Sequence, residues 1–331
     1  MAAEIGATRP TGKTPFNSNK KTTATMKKEQ LFSIGYHLNS WDLAGLPIKP
    51  ALEFLKGQGF EWFEILAWNS LSDVFARKYM DLGPQEPAEV ITDTTFLRRM
   101  ATLSQAQREQ GIRLSSLYCN GTFTDPKMWP WERDAFEAIA RILAGFGAPV
   151  LVMGGGPSEA IAGKHTPEDY KTFCRSLEEI GRITKEFGVE TVYHPHLDTF
   201  IETREQLDRM MDELDTGCVG LCIDPAHLVQ TNSDPVNATR TYIEAIRYMH
   251  FKDSAVDPSL KGFDRYAAFC ELGAGVVDLK GLADVLIEAE YDGLAIIELD
   301  VSQKTAEQST LESIDYVTNV LGLSLNPAKA G

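Results

Sequence analysis

The chain has 331 residues, a length that suits one large barrel or two modest domains. Its hydrophobic content of 43% is ordinary for a globular protein with a full core. The formal net charge of −15 at pH 7 argues against nucleic acid or an anionic membrane surface as a partner, because phosphate groups repel such a protein. No segment approaches the run of about 18 apolar residues that a membrane span needs.

The first 29 residues are polar, rich in Thr, Lys and Asn, and without the apolar core of a secretory signal. We therefore predict a flexible tail over residues 1–29, one catalytic barrel domain over residues 30–325, and a cytoplasmic location. The five cysteines are scattered and odd in number, which favours small apolar core residues over a zinc framework.

From residue 31 onward, short apolar segments alternate with longer amphipathic ones. The eight predicted strands are Leu31–His37, Phe60–Leu66, Ile112–Tyr118, Pro149–Met153, Val189–His194, Val219–Asp224, Tyr248–Lys252 and Leu294–Leu299. The predicted helices are Ile48–Gln58, Thr94–Gln110, Trp131–Phe146, Pro167–Phe187, Arg204–Leu214, Pro235–Ile246 and Leu279–Ala289. Thr166 is placed to cap a helix that has Pro167 at its first position, and Gly111 and Gly188 follow helical segments as stop signals.

This alternation predicts parallel strands joined by right-handed crossovers. A doubly wound open sheet would show the same order of elements. Eight repeating units, and the absence of Gly-x-Gly-x-x-Gly after the first strand, favour an α/β fold of the (β/α)8 TIM-barrel type. The long connections 67–93 and 253–270 follow the second and seventh strands, so we expect them on the carboxyl-terminal face, where active-site loops gather.

The last four predicted strands carry acidic or imidazole side chains near their carboxyl ends. These residues are His194, Asp224, His250 and Glu298. Because polar groups in apolar strands are costly to bury unless something pairs with them, we predict that the four converge on one divalent cation. Imidazole and carboxylate ligands suit Mn²⁺, our first expectation, and also Zn²⁺, Co²⁺ or Fe²⁺, better than Ca²⁺.

Each residue also has a purely structural interpretation. Asp224, which precedes a proline, could be a turn residue, and His250 alone would more often be a satisfied core histidine. His227 suits a hydrogen bond behind the ligands, and Lys252 could form an ion pair with the aspartate that follows it. Glu298 is harder to explain in this way, because an unpaired carboxylate among apolar neighbours needs a partner.

Weaker signals lie in the connections. The run Gly154–Gly156 after the fourth strand could let the backbone approach a ligand, or could simply make a tight connection. Glu64, near the end of the second strand, is expected to face the cavity. Four tryptophans could wall a sugar site or simply pack loops, namely Trp41, Trp68, Trp129 and Trp131.

These strand endings resemble the xylose-isomerase-like TIM-barrel superfamily, which contains sugar isomerases, epimerases, keto-polyol dehydratases and endonuclease IV. The likeness covers roughly the whole chain after residue 30. Because members hold a divalent metal with Glu, Asp, His and Glu from strands five to eight, the resemblance implies that Asp224, His250 and Glu298 are ligands. His194 replaces the usual Glu, and the run Tyr193–Thr199 looks like the His-x-His-x-x-Thr segment of the inosose dehydratase branch.

Three more segments, residues 272–278, 291–293 and 298–300, resemble that branch, whereas residues 36–42 match its Trp-Asn-Asp-Asp run only loosely. The resemblance implies a metal-dependent carbon–oxygen lyase of carbohydrate metabolism that acts on a keto-polyol or keto-sugar by enolisation and elimination. Its partner would be a small sugar or polyol, and a homo- or hetero-oligomer is possible for a barrel of this size.

In that reaction the metal would acidify the C–H group beside the ketone. His196, or a group near Glu298, would remove the proton, and Lys252, His227 or Glu64 would protonate the departing hydroxyl. Isomerisation or epimerisation of a ketose, and cleavage of a C-glycoside or 3-keto-glycoside, are the alternatives. Phosphodiester cleavage is disfavoured because the net charge leaves no basic groove.

Overall fold

The computed structural model describes residues 28–43, 47–67, 94–300 and 302–327. Its strands are β1 (Ser33–His37), β2 (Trp62–Leu66), β3 (Arg113–Gly121), β4 (Val150–Gly155), β5 (Glu190–Tyr193), β6 (Gly220–Ile223), β7 (Ile246–Phe251), β8 (Asp253–Ser254), β9 (Phe269–Cys270) and β10 (Leu294–Ile297). Eight of them form a closed parallel barrel in the order β1-β10-β7-β6-β5-β4-β3-β2, while β8 and β9 form a small antiparallel ribbon. The predicted (β/α)8 barrel and its eight strands are confirmed.

The barrel is surrounded by helices that follow the strands in sequence. They are α1 (Asn39–Leu43), α2 (Ile48–Gly57), α3 (Thr94–Gln110), α4 (Trp129–Phe146), α5 (Glu159–Ala162), α6 (Pro167–Lys185), α7 (Arg204–Glu213), α8 (Pro225–Gln230), α9 (Pro235–Tyr242), α10 (Leu279–Glu288) and α11 (Ala306–Asp315). Short 3-10 segments at Ile243–Ala245 and Gly262–Ala268, and a π-helical turn at Tyr316–Val320, complete the described elements. The seven predicted helices correspond to α2, α3, α4, α6, α7, α9 and α10.

The helix α11 was not predicted, and its buried face explains why. That face consists of Ala306, Ser309, Thr310 and Ser313, which are small or polar residues. The apolar periodicity on which helix prediction depends is therefore absent. The helix instead has a reciprocal cap, in which Thr305 accepts a hydrogen bond from the backbone N–H of Gln308 and the Gln308 side chain accepts one from the backbone N–H of Thr305.

Helix caps of the same kind begin two other helices. The predicted cap Thr166 accepts a hydrogen bond from the backbone N–H of Asp169 at the start of α6, and the Asp169 carboxylate accepts one in return. Thr203 and Gln206 make the corresponding pair at α7. These caps fix where the helices begin, and therefore how much chain remains for the loops above the barrel.

The two larger apolar clusters of the described residues lie inside the barrel and between the barrel and the helices. The interior cluster contains the inward-pointing strand residues Tyr118, Val150, Val152, Val192, Cys222, Tyr248, Leu294 and Ile296. The outer cluster packs the other faces of the strands, such as Ala295 and Ile297 of β10, against the helices. Since the interior of the barrel is filled with apolar side chains, polar groups are left to gather at the carboxyl ends of the strands.

Some sequence-based predictions lie outside the described residues. Of the predicted tail over residues 1–29, the structure describes only Lys28 and Glu29. Of the connection 67–93, it describes only residue 67. Trp68 also lies there. All five cysteines are described and are free of disulfides, and Cys119, Cys174 and Cys222 are buried, as predicted for small apolar residues. Among the described helices, none is long and apolar enough to cross a membrane.

A glycine in α6 provides a test of the packing between the helix layer and the barrel. A Cβ atom at Gly181 would lie 2.5 Å from the backbone oxygen of Cys218 and 2.9 Å from Val219 Cγ2. Replacing glycine by alanine inside a helix ordinarily stabilises a protein by about 0.5–1 kcal/mol. We expect Gly181→Ala to do the opposite and lower the free energy of unfolding by about 1–3 kcal/mol, measured by urea denaturation.

Gly145 in α4 is the matched control, because a Cβ atom there would meet no atom within 4 Å. We expect Gly145→Ala to be neutral or slightly stabilising in the same measurement. Equal unfolding free energies for the two variants would contradict the close approach of α6 to the segment before β6.

Candidate metal centre and its pocket

A layer of polar side chains lies directly above the apolar interior, because side chains alternate between the two faces of a strand. Each of the last four barrel strands places a polar residue two positions after an inward-pointing residue. The pairs are Val192 and His194, Cys222 and Asp224, Tyr248 and His250, and Ile296 and Glu298. The four polar residues, called the quartet below, therefore share the inner face, and all four are buried.

The atoms that the quartet can offer to an ion lie within 4.8 Å of one another. Asp224 Oδ2 is 3.8 Å from His250 Nδ1 and 3.9 Å from His194 Nε2. Glu298 Oε2 is 2.7 Å from His250 Nδ1. Bonds of about 2.0–2.2 Å to a divalent transition metal place neighbouring ligand atoms roughly 3 Å apart. The structure thus brings together the four residues that the strand endings predict, at spacings compatible with one ion.

The two carboxylate oxygens of Asp224 have different surroundings. Its Oδ1 accepts hydrogen bonds from the backbone N–H groups of Ala226 (2.8 Å) and His227 (3.4 Å), and so caps α8. Its Oδ2 has no hydrogen-bond partner and faces the rest of the quartet. The turn interpretation and the ligand interpretation of Asp224 are therefore compatible, since the cap fixes the direction of the second oxygen.

His250 is oriented from behind by Glu64. The His250 Nε2–H group donates to Glu64 Oε2 at 3.0 Å, and Tyr248 OH donates to the same oxygen at 3.1 Å. Ser115 Oγ lies 2.7 Å from Tyr248 OH and extends this buried chain. The contact with Glu64 places a proton on Nε2 and turns Nδ1 toward the rest of the quartet, which is the arrangement found where a carboxylate orients a metal-binding histidine.

Lys252 is fully buried and lies against three carboxylates. Its Nζ is 2.6 Å from Asp300 Oδ2, 3.2 Å from Glu298 Oε1 and 3.7 Å from Asp224 Oδ2. It also lies 4.4 Å from the centre of the Phe269 ring, a favourable position for a cation. Burial alone would lower the pKa of Lys252, but Asp300, Glu298 and Asp224 raise it above its ordinary value, so the group is an ammonium ion.

Two further histidines lie beside the quartet. The rings of His196 and His227 are 3.7 Å apart between centroids. His196 Nδ1 donates to the backbone oxygen of Leu197 at 2.9 Å and lies 3.2 Å from Tyr266 OH, while His227 Nδ1 accepts from the backbone N–H of Leu197 at 3.4 Å. One backbone residue thus contacts both rings, and the hydrogen bond to the Leu197 oxygen leaves the lone pair of His196 on Nε2.

Burial and the neighbouring charges set the protonation of the centre. Burial, together with the neighbouring histidines, holds the pKa values of His194 and His227 well below the ordinary value. Burial would raise the pKa of Glu298, but Lys252 and His250 hold it well below its usual range, so Glu298 is ionised. Burial would lower the pKa of His250, but Cys222 and the carboxylates of Glu298 and Glu64 raise it.

The donor set fits a divalent metal on two grounds. Two buried polar atoms of the quartet, Asp224 Oδ2 and His194 Nδ1, have no hydrogen-bond partner in the described part of the chain, and Glu298 Oε2 and His250 Nδ1 face each other at 2.7 Å. A buried polar atom without a partner costs about 1–3 kcal/mol. In addition, the four carboxylates of Glu64, Asp224, Glu298 and Asp300 outnumber the basic groups among them, Lys252 and His250, so a further cation would reduce the excess of negative charge.

The quartet opens onto a pocket of about 700 Å³ at the carboxyl ends of the strands. Its inner wall includes His194, His196, Glu298, Asp300, Asn39 and Tyr118. Gly155 and Gly156 line it with φ angles of 98° and 81°, in the left-handed region that favours glycine. A Cβ atom at Gly154 would lie 2.1 Å from Tyr118 OH, so the predicted glycine run leaves space for a pocket residue as well as making a tight connection.

The sequence-predicted catalytic residues occupy different positions around this pocket. His196 lines it, whereas Glu64, Lys252 and His227 do not appear among the lining residues that the structure describes. Glu64 lies behind His250, and Lys252 behind Glu298 and Asp300. Of the tryptophans, Trp41 and Trp131 are buried and Trp129 packs against the core, which supports the packing interpretation for these three.

Several site residues were not predicted. Asp300 contacts Lys252 and accepts from Asn39 Nδ2 at 2.5 Å, and Tyr118 lines the pocket beside His194. The signal for Asp300 was its place two residues after Glu298, which puts both carboxylates on the same face if the extended backbone continues. Tyr118 carried no comparable signal, because an aromatic residue in a strand usually belongs to the core.

Comparisons with known proteins agree with this architecture. The family model described as xylose isomerase-like TIM barrel matches residues 52–320. The inosose dehydratase of Geobacillus thermodenitrificans (strain NG80-2) is 26% identical over 252 residues, which are 70% of this chain and 82% of the relative.

Two solved structures show the same fold. The probable 3-DHS dehydratase AsbF of Bacillus anthracis, which is involved in petrobactin synthesis, has a TM-score of 0.68 at 13% identity, with 87% of this chain and 99% of that chain covered. The IolI protein with a bound zinc atom also has a TM-score of 0.68, at 18% identity, with 88% of this chain and 98% of that chain covered. At these identities the structural likeness establishes the fold alone.

Metal analysis tests the quartet directly. We expect about one Mn, Zn, Fe or Co ion per chain in the purified protein, and a loss of most of that metal in Glu298→Gln, because an amide is a weaker ligand than a carboxylate. Glu205→Gln, at an exposed glutamate paired with Arg209, is the matched control and should keep its metal. Equal metal content in all three proteins after reconstitution and dialysis would contradict the site.

The orienting role of Glu64 makes a second prediction. We expect Glu64→Gln to weaken metal binding by about 10- to 100-fold, because His250 loses its charged hydrogen-bond acceptor. Tyr248→Phe removes only one neutral donor to Glu64 and should have a smaller effect in the same titration. A Glu64→Gln protein with wild-type metal affinity would show that this carboxylate does not act through His250.

Proposed function

The chain belongs to the xylose isomerase-like TIM barrel family, and we propose that it is a divalent-metal-dependent dehydratase acting on a keto-polyol or keto-sugar. In the proposed reaction, a base removes the proton beside the ketone and the hydroxyl on the next carbon leaves as water. The observation that carries the proposal is the buried quartet, whose unpaired ligand atoms adjoin a pocket with an imidazole base. Relatives named inosose dehydratase support this reaction class.

His194, Asp224, His250 and Glu298 would hold the ion. When bound, the ion supplies Lewis acidity, which polarises a ketone and stabilises the negative charge that develops as the adjacent proton leaves. The chain fixes three of these side chains before any substrate arrives: Asp224 is held by the α8 cap, His250 by Glu64, and Glu298 by Lys252.

His196 is the proposed base. Because its Nδ1–H group donates to the backbone oxygen of Leu197, the lone pair is on Nε2. His196 also lines the pocket, next to His194 and with Tyr266 beside its ring. A base must reach the proton that it removes, and His196 meets this requirement better than the buried residues behind the quartet.

The same imidazole can complete the elimination. After His196 Nε2 has taken the proton, the C–H electron pair forms the new double bond and the bond to the neighbouring hydroxyl breaks. The imidazolium then returns its proton to the departing hydroxyl, which leaves as water, so atoms and charges balance. The sequence-predicted acids Lys252, His227 and Glu64 have positioning roles in this scheme, because each contacts a quartet or pocket residue from behind.

Asp300 and Asn39 are proposed to hold the substrate's hydroxyl groups. Both line the pocket, and Asn39 Nδ2 donates to Asp300 Oδ1. Lys252 Nζ lies 2.6 Å from Asp300 Oδ2 and 3.2 Å from Glu298 Oε1, and so holds the two side chains next to each other. A fixed carboxylate and a fixed amide suit neighbouring hydroxyls, which donate to one and accept from the other.

The reaction is tested with the manganese-loaded protein and scyllo-inosose, a keto-polyol. We expect a product lighter by one water, detected by mass spectrometry. His196→Asn should lower kcat by about 10²- to 10⁴-fold while keeping its metal, because it removes a proton acceptor and not a ligand. Tyr266→Phe, which removes only the hydroxyl beside His196 Nδ1, should lower kcat by less than about tenfold.

The alternatives give different outcomes in the same assay. A product of unchanged mass that exchanges a carbon-bound proton with solvent would indicate isomerisation or epimerisation. Full activity in the His196→Asn protein would contradict the assignment of the base. Activity that persists after chelation and dialysis would contradict the role of the metal.

A further inference from the structure

The outer part of the pocket contains side chains that the proposed reaction does not use. We infer that Phe263 and Asp198 form a subsite for a second, uncharged sugar ring, so that the substrate is a glycosylated keto-sugar or keto-polyol. This inference rests on the proposed function for the identity of the reacting ring. The new element is the second sugar ring that is attached to the reacting ring.

The size of the pocket is the first reason. Its volume is about 700 Å³, within the range of roughly 300–1,000 Å³ that holds drug-sized ligands. A single six-membered polyol would fill only the part beside the quartet. The remaining wall includes Phe263, Tyr266, Asp198, Thr124 and Asp125.

Phe263 gives this outer wall an aromatic face. Its side chain is 78% exposed and lines the pocket, so the face of its ring is open to a bound molecule. Ring contacts connect it to the centre: Phe263 to Tyr266 at 5.8 Å, Tyr266 to His196 at 5.7 Å, and His196 to His194 at 5.2 Å between centroids. An aromatic face at this distance suits the C–H face of a second ring and not the reacting one.

Two ion pairs hold the segment that carries Phe263. Arg265, two residues further along, contacts Asp198 at 2.8 Å and Glu202 at 2.6 Å. Asp198 and Glu202 both lie in the loop between β5 and α7, so the two ion pairs join this loop to the segment that carries Phe263. Phe263 is therefore presented by an anchored segment, as specific recognition requires.

Asp198 supplies an unused hydrogen-bond acceptor. Its Oδ1 accepts from Arg265, but its Oδ2 is buried and has no partner among the described residues, although Asp198 lines the pocket. Its φ angle of 59° is in the left-handed region, which aspartate and asparagine adopt more readily than most other side chains. Rotation of the carboxylate about its terminal side-chain torsion, which is broad for aspartate, would bring Oδ2 to the pocket, where a hydroxyl of a bound sugar would pair with it.

The charge of the outer wall indicates an uncharged ligand. Within the described lining, the pocket contains Asp125, Asp198 and Asp300 and neither lysine nor arginine. Arg265 and Lys252, close behind the wall, are already paired with carboxylates. A phosphate or carboxylate group would meet repulsion there, whereas sugar hydroxyls would find acceptors.

Binding of compounds that lack a ketone tests the subsite without turnover. The probes are glucose, cellobiose and phenyl β-D-glucoside, titrated calorimetrically into the manganese-loaded protein. We expect cellobiose to bind more tightly than glucose, and Phe263→Ala to weaken cellobiose binding by about three- to tenfold with no change for glucose. Ile161→Ala, at an equally exposed apolar residue that does not line the pocket, should change neither value.

Asp198→Asn separates a sugar from an aromatic group. Asparagine tolerates the left-handed backbone, its amide oxygen can still accept from Arg265, and the Arg265–Glu202 ion pair remains, so Phe263 stays anchored. We therefore expect weaker binding of cellobiose and unchanged binding of phenyl β-D-glucoside. The subsite is overturned if cellobiose binds no better than glucose, or if Phe263→Ala leaves their ratio unchanged. Tight binding of the phenyl glucoside alone would overturn the sugar assignment. If cellobiose binds more tightly than glucose as expected but the elimination assay fails, only the proposed reaction is contradicted.

Discussion

Charge buried at the mouth of an apolar barrel is the constraint on which the rest of this structure depends. Glu64, Asp224 and Glu298 are withdrawn from water, Asp300 nearly so, and Lys252 is the ammonium ion among them. Ions removed from water cost several kcal/mol each unless partners compensate. The surrounding contacts supply part of that compensation, and the unpaired atoms of the quartet mark the part that they do not supply.

The same constraint explains why loop geometry and site geometry are tied together. Asp224 caps α8 with one oxygen and faces the quartet with the other, so a change in the cap would turn the second oxygen away. Asp253, next to Lys252, accepts hydrogen bonds from the backbone N–H groups of Gly273, Gly275 and Val277. Each of these carboxylates fixes a segment of backbone at the carboxyl face, and a small apolar cluster of Leu197, Ala226, Phe269 and Leu299 packs beside them.

The pocket divides into an inner and an outer part with different chemistry. The inner part is lined by histidines and carboxylates that the barrel strands hold rigidly. The outer part is formed by loops that follow the strands. Arg265 joins two of these loops, because it lies in the segment of Phe263 and pairs with Asp198. Reaction chemistry on strands and recognition on loops is the usual division in this fold, because loops can change while the strands keep the reacting groups in place.

The sequence by itself determined the barrel, its eight strands and the four residues of the quartet. Alternation of side chains along a strand is a local property, so the spacing from Val192 to His194, or from Ile296 to Glu298, already put these residues on the inner face. Helix α11 cannot be predicted from apolar periodicity, because its buried face is made of small and polar residues. Local sequence patterns therefore predict the repeating strands and the residues that face the inside of the barrel.

Only the tertiary structure decided the partners of each polar group. The position of Glu64 behind His250, the place of Lys252 against Asp300, and the ion pairs of Arg265 all join residues that are distant in sequence or belong to different elements. No periodicity encodes such contacts, because they depend on barrel closure and on the register between strands. The division between residues that face the pocket and residues that orient them from behind follows from that closure.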